Sequence, residues 1–303
     1  MSSKAQPLDF LALVCLSLMW SSSFLFIKIA VETVTPLTVA AGRLLVAAIV
    51  LYIFMKIRGK SLPQDKRSWL FFILIGLIGN SIPFYLISWA EVTIDSSIAA
   101  ILIASAPLAS FLIGHMVTTD EKLTMPRITG VLAGFAGIIV LIGYESLLSF
   151  GTNAISQLAI VGGAICYVSA SFIAKKMPPM DPYARAAGVL IMASLMSVPV
   201  SLLVDQPWTL MPSTDSLVAV LFLGLFPTAV ATLILFYLVM RVGATFVALN
   251  NYINPVLGVI WGYWFMSENP SPQTALGLAM ILGGLVVTQL KFAKTSGRDK
   301  NKA

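Results

Sequence analysis

Ten apolar runs, each close to the ~20 residues a helix needs to cross a bilayer, follow one another along this chain with little between them. They run Leu8 to Val31, Pro36 to Ile57, Arg67 to Ala90, Ser96 to Val117, Pro126 to Tyr144, Ser156 to Ala174, Pro182 to Val204, Ser216 to Val239, Gly243 to Met266 and Thr274 to Phe292. Backbone in hydrocarbon must pair its own N–H and C=O groups, so runs of this length read as helices. The expected fold class is an all-α membrane protein with ten transmembrane helices. Composition agrees: 58% of residues are hydrophobic and 11% charged, with mean hydropathy +0.92, which leaves little chain for an aqueous domain. Pro36, Pro126, Pro182 and Pro272 lie near helix starts, where a missing N–H costs nothing.

The net charge of +6 is placed as membrane topology places it, so nucleic acid is not an expected partner. Lys28 and Arg43 apart, every Lys and Arg falls in segments that share one side if the N-terminus is cytoplasmic. These are Lys4; Lys56 to Arg67; Lys122 and Arg127; Lys175, Lys176 and Arg185; Arg241; and the tail from Lys291 to Lys302. The opposite loops carry only the acids Glu32, Glu91, Asp95, Glu145, Asp205, Asp215 and Glu268. The positive-inside pattern therefore predicts both termini in the cytoplasm. The first apolar run is too long for a signal-peptide core and reads as a retained helix. Cys15 and Cys166 lie within apolar runs, where a thiol acts as a small hydrophobe, and no disulfide is expected.

Polar groups at mid-membrane depth mark the candidate site. Asn250, Asn251 and Asn254 precede Pro255, which cannot donate to the carbonyl of Asn251. Amides there either face a wet cavity or serve as hydrogen-bonding glue between helices. Trp20 and the serines Ser21 to Ser23 stand at similar depth in the first helix, as does Asn80 in the third, followed by Phe84 and Tyr85; Trp261 in the ninth is a further candidate for contact with a solute. Arg43 lies about two turns inside the second helix, where it either snorkels outward or turns inward to a carboxylate or bound anion. Lys28 and Glu91, at outer helix ends, form a gate only if they pair. Pro107 and Pro255 are candidate kinks in the fourth and ninth helices.

The two halves can be laid on each other. Lys28 falls on Lys175, Trp20 on Tyr167, and Ala40-Ala41-Gly42 on Ala186-Ala187-Gly188; Gly76, Pro107 and Gly114 fall on Gly224, Pro255 and Gly262; Gly130 and Gly137 fall on Gly277 and Gly284. Five helices per copy is an odd number, so the second copy enters the membrane upside down. The expected organisation is two inverted five-helix repeats, residues 1–150 and 151–303, the second ending in a short basic tail.

Ten spans in two halves, Trp20-Ser21-Ser22-Ser23-Phe24 in the first helix, Arg43 in the second and proline in the fourth and ninth together resemble the EamA family of the drug/metabolite transporter superfamily. The resemblance covers Leu8 to Phe292. It implies a ten-helix inner-membrane carrier, often an exporter of amino acids or related metabolites, with the solute path between the halves, and it favours an inward Arg43. It names no solute; export of another metabolite or drug class is the alternative.

Other classes fit less well. An intramembrane enzyme needs metal-ligating clusters, paired acids or a serine beside a base. One histidine, His115, and no acid central in any span assemble none of these. No cofactor or metal is expected. A scaffold or sensor remains distinguishable by the absence of solute flux, and a channel makes less use of inverted repeats than rocking between two access states does. Ion coupling and direction are open. The expected partners are a small polar solute and the bilayer.

Overall fold

The computed structural model describes residues 5–117, 125–143 and 152–289. Within them the chain is helical, and seven helices are long and apolar enough to cross a membrane: Pro7–Ala30, Pro36–Ile57, Lys66–Ala90, Ser96–Met116, Asn153–Lys175, Pro182–Val204 and Thr214–Arg241. Shorter apolar helices cover Ile128–Ile142 and Pro272–Thr288. The basic tail, with Lys4, Lys122 and Glu145, lies outside the described residues.

Several of these spans are built from pieces. Helices α1 (Pro7–Ala30) and α2 (Pro36–Ile57) are continuous. The third span joins α3 (Lys66–Gly76) to α4 (Ile82–Ala90) through a π-helical turn, Leu77–Ser81. The fourth divides into α5 (Ser96–Ile103) and α6 (Ala106–Val117), which places Pro107 as the second residue of a new helix. Then come α7 (Met125–Ile142), α8 (Thr152–Lys175) and α9 (Pro182–Val204). A second π-helical turn, Gly224–Val230, separates α10 (Thr214–Leu223) from α11 (Ala231–Arg241). The run read as one helix from Gly243 to Met266 consists of a single turn, α12 (Ala244–Val247), and α13 (Asn250–Phe265), with Pro255 inside the latter. Last is α14 (Pro272–Gln289).

Starts are set locally. Prolines open α1, α2 and α9, and side chains of Asp65, Asp181 and Ser213 accept the first free N–H groups of α3, α9 and α10, a cap worth about 1 kcal/mol each.

Packing runs between the halves. α7 lies along α14, α2 along α9, α4 along α8, α5 along α13, and α1 against α10 and α13. Small residues permit the closest approaches. A Cβ on Gly130 would strike the carbonyl of Gly284, and one on Gly284 the carbonyl of Gly130. Likewise Gly258 faces Ala100 without room for a side chain. Backbones this close gain dispersion contacts that lipid cannot supply. The core is a set of clusters, the largest joining Phe24, Ile27, Ile87, Ile101 and Leu102 to Ile160, Leu223 and Ile281.

Candidate functional site

Arg43 organises the polar interior. It is 7% exposed, and its Nε donates to Thr228 Oγ1 at 2.7 Å. Its guanidinium lies over the ring of Phe84, 3.9 Å from the centroid, a cation–π contact. Phe84 in turn meets the ring of Tyr167 edge-on, with centroids 6.4 Å apart. No other hydrogen bond reaches the guanidinium among the described residues, so donors remain for a planar anion.

Two π-helical turns build this arrangement. The extra residue in such a turn leaves one carbonyl without its usual N–H partner. Thr228 closes the second turn by donating to the carbonyl of Leu223 at 2.7 Å while accepting from Arg43. Asn80 does the same work in the first, its amide donating to the carbonyl of Ile75 at 3.3 Å. Thr228 falls on Asn80 in the register that lays Gly76 on Gly224.

Beside Tyr167 lies a wide-open cavity, close to a groove, of about 280 Å³ lined by Ala106, Pro107, Ser110 and Phe111 of α6, Tyr167, Val168 and Ser171 of α8, and Asn251 of α13. Its size is at the lower bound of ~300 Å³ for small-molecule sites. A second cavity of about 310 Å³ opens at the basic end among Ala12, Phe54, Arg58, Tyr183 and Tyr237. Near it the buried Asp9 carboxylate pairs with Arg241 at 2.7 Å and accepts from Tyr237 at 3.2 Å.

Hydrogen bonds tie the helix ends together at the acidic end. Thr33 donates to Ser216 at 2.8 Å, Ser216 to the carbonyl of Ile29 at 2.9 Å, and Asp205 accepts from Thr35 and Thr38. Glu268 accepts from the N–H groups of Ser96 and Ser97 at 2.7 and 3.0 Å. Lys28 reaches Glu91, but at its backbone: Nζ donates to the carbonyls of Glu91 and Ile94 at 2.7 and 2.8 Å. The Glu91 carboxylate itself is fully buried, and burial pushes it well above the usual carboxylate range, against the pull of Lys28.

The candidates separate accordingly. Arg43 and Phe84 touch each other, and Asn251 and Pro107 line the cavity. Asn250 accepts from Ser17 at 2.7 Å, a bond between α13 and α1. Ser23 donates to the carbonyl of Trp20 at 2.6 Å, and Trp20 is half-buried against the Leu13 and Leu16 cluster. Trp261 donates to Ser21 at 2.9 Å. Tyr85 points outward at 38% exposure. Asn254 holds a buried carbonyl oxygen with no hydrogen-bond partner among the described residues. Sequence reading missed Thr228 and Asp9 and left Tyr167 only as the repeat mate of Trp20. The register that pairs Asn80 with Thr228 was the available signal.

Comparison with known proteins decides the family. The model of the EamA-like transporter family matches residues 8–143 and again 154–290. The chain belongs to the EamA-like transporter family. Its relatives include the inner membrane transporter YedA of Escherichia coli (strain K12), 29% identical over 286 residues that make up 92% of this chain and 90% of that protein. A probable terminal-alkyne amino-acid exporter of Streptantibioticus cattleyicolor is 25% identical over 292 residues, 95% of each chain. One solved crystal structure shares the fold with a TM-score of 0.67 at 22% identity, covering 94% of this chain and 98% of that one. This EamA protein is thus a membrane transporter, and its family's described activity is transport and not catalysis.

Proposed function

We propose that this EamA protein exports a small carboxylate-bearing polar metabolite, an amino acid or a close relative, by alternating access. The observation that carries this reading is Arg43, which holds a buried guanidinium with unspent donors beside Phe84 and Tyr167. Tyr167 also forms the wall of the 280 Å³ cavity. The guanidinium binds the carboxylate, as its planar fork suits. Asn251, Ser110 and Ser171 meet the solute's other polar groups, and the unpartnered carbonyl of Asn254 accepts from an ammonium as the solute moves.

The layout we propose has ten spans in two inverted halves, 1–150 and 151–303. Three facts support it: the family model matches twice, the π-helical turns fall at equivalent positions, and α7 meets α14 through reciprocal glycines. The protein lies in the inner membrane with both termini cytoplasmic, so the described state is closed outside and open at the basic, cytoplasmic end. That one relative is named an amino-acid exporter supports the solute class.

The test compares metabolites inside and outside cells producing the wild type, Arg43→Lys or Arg43→Ala at equal membrane abundance, followed by flux of the best hit in proteoliposomes. The wild type enriches a carboxylate-bearing metabolite outside, and both variants lose that enrichment. Equal enrichment by all three overturns the role of Arg43.

A further inference from the structure

Glu91 takes no part in the solute cavity. It stands in the turn after α4 at the acidic end, is 0% exposed, and both carboxylate oxygens are buried with no hydrogen-bond partner among the described residues. Glu268, its acidic neighbour, differs: two backbone N–H groups and the Ser96 hydroxyl hold it. Lys28 has the charge to pair with Glu91 but points its ammonium at two backbone carbonyls. An ionised carboxylate withdrawn from water without a single hydrogen bond is strongly disfavoured, and such a group takes up a proton instead.

The charged groups facing it come from four directions. Lys28 on α1 and Arg43 on α2 attract the carboxylate, Glu268 ahead of α14 repels it, and Asp95 ahead of α5 feels the same Lys28 and Glu268. The helix packed along α4, α8, adds no charge to this set: the groups that act on Glu91 are Lys28, Glu268 and Arg43. Two cations do not offset full burial, because neither donates to the carboxylate oxygens.

We propose that closing the acidic end binds one proton at Glu91, so that the pH on that side sets how readily the carrier opens to it. The proposal rests on the alternating-access reading, since only a state open at that end lets water reach the carboxyl. In the open state the hydrated carboxyl titrates in the ordinary carboxylate range; in the closed state burial holds it above that. The proton bonds to a carboxylate oxygen on closing and returns to the same side on opening. Closure is therefore fully favoured below the open-state value. It then weakens up to tenfold per pH unit as pH rises, until the closed-state value is passed.

The test reads access and needs no solute. In protein lacking Cys15 and Cys166, an Ala30→Cys thiol, buried at the end of α1, is labelled with an impermeant maleimide from the acidic-end side. Its rate is divided by that of Thr214→Cys, which is exposed at the start of α10, so the pH dependence of thiol chemistry cancels. The ratio is expected to rise with pH, by up to about tenfold per unit, and to become low and flat in Glu91→Gln. Glu91→Asp, which still titrates, keeps a slope and serves if Glu91→Gln does not insert. A flat ratio with Glu91 present, or an unchanged slope in Glu91→Gln, overturns the proton and leaves alternating access standing. No labelling of Ala30→Cys at any pH overturns both.

Discussion

Arg43 brings a permanent charge into a helix interior, and insertion scales put such a residue at roughly 2.5–3.5 kcal/mol. Thr228 and the face of Phe84 offset part of that, and the remaining donors are the ones the proposed function assigns to the solute's carboxylate. Thr228→Val removes the acceptor for Nε and also leaves the Leu223 carbonyl open, whereas Thr228→Ser keeps both bonds. Since a hydrogen bond to a charged group contributes about 1.5–3 kcal/mol, Thr228→Val is expected to weaken apparent solute affinity about tenfold or more in proteoliposome flux. Thr228→Ser should stay near wild type. The three asparagines divide by their partners. Asn250, bonded to Ser17, is a helix tether: Asn250→Leu lowers unfolding stability in detergent by about 1 kcal/mol and spares flux. Asn251 lines the cavity, so Asn251→Leu reduces flux while leaving stability near wild type.

At the scale of helices, adjacent glycines in α14 make a sharp comparison. A methyl on Gly284 would strike the backbone of Gly130 and Gly134, while a methyl on Gly283 meets nothing within 4 Å. Gly284→Ala is therefore expected to lower the thermal unfolding midpoint in detergent, and Gly283→Ala to keep or raise it, since alanine is the better helix former by about 1 kcal/mol in water. The repeat marked these glycines as equivalent positions, Gly130 with Gly277 and Gly137 with Gly284, but only the fold shows that Gly130 meets Gly284. Pro36 to Ile57 and Pro182 to Val204 were legible to the residue, because a proline marks each start and hydropathy marks each length. The interruptions were not. A π-helical turn inserts one residue without changing hydropathy, so nothing in the run from Arg67 to Ala90 marks Leu77–Ser81. The break in the ninth run falls at residues 248 and 249, ahead of Asn250 and well before Pro255. Thr228 escaped notice for a related reason: a lone threonine in an apolar run usually bonds its own backbone, and only the fold shows that its second lone pair meets Arg43. Glu91 reads in the sequence only as an outer helix end, and its complete burial is visible only in the fold.

For the whole molecule, the question is whether the two halves separate at the acidic end during each cycle. Their seam there is made of short side chains, Thr33 to Ser216 among them, with oxygens 2.8 Å apart. Hydroxyls at that distance hold their Cβ atoms close enough for a disulfide, which needs about 3.5–4.5 Å between Cβ atoms. The doubly substituted Thr33→Cys, Ser216→Cys protein, in a background without Cys15 and Cys166, should therefore cross-link on oxidation. If transport requires that end to open, oxidation stops solute flux in proteoliposomes and a reductant restores it, while each single substitution transports in both conditions. A rigid pore would behave otherwise, because sealing one side chain contact at its rim need not halt passage through the rest. Flux that persists after complete cross-linking would show that the halves do not part along this seam. The path would then have to run between α6, α8 and α13 without any rocking about the glycine contact of α7 and α14.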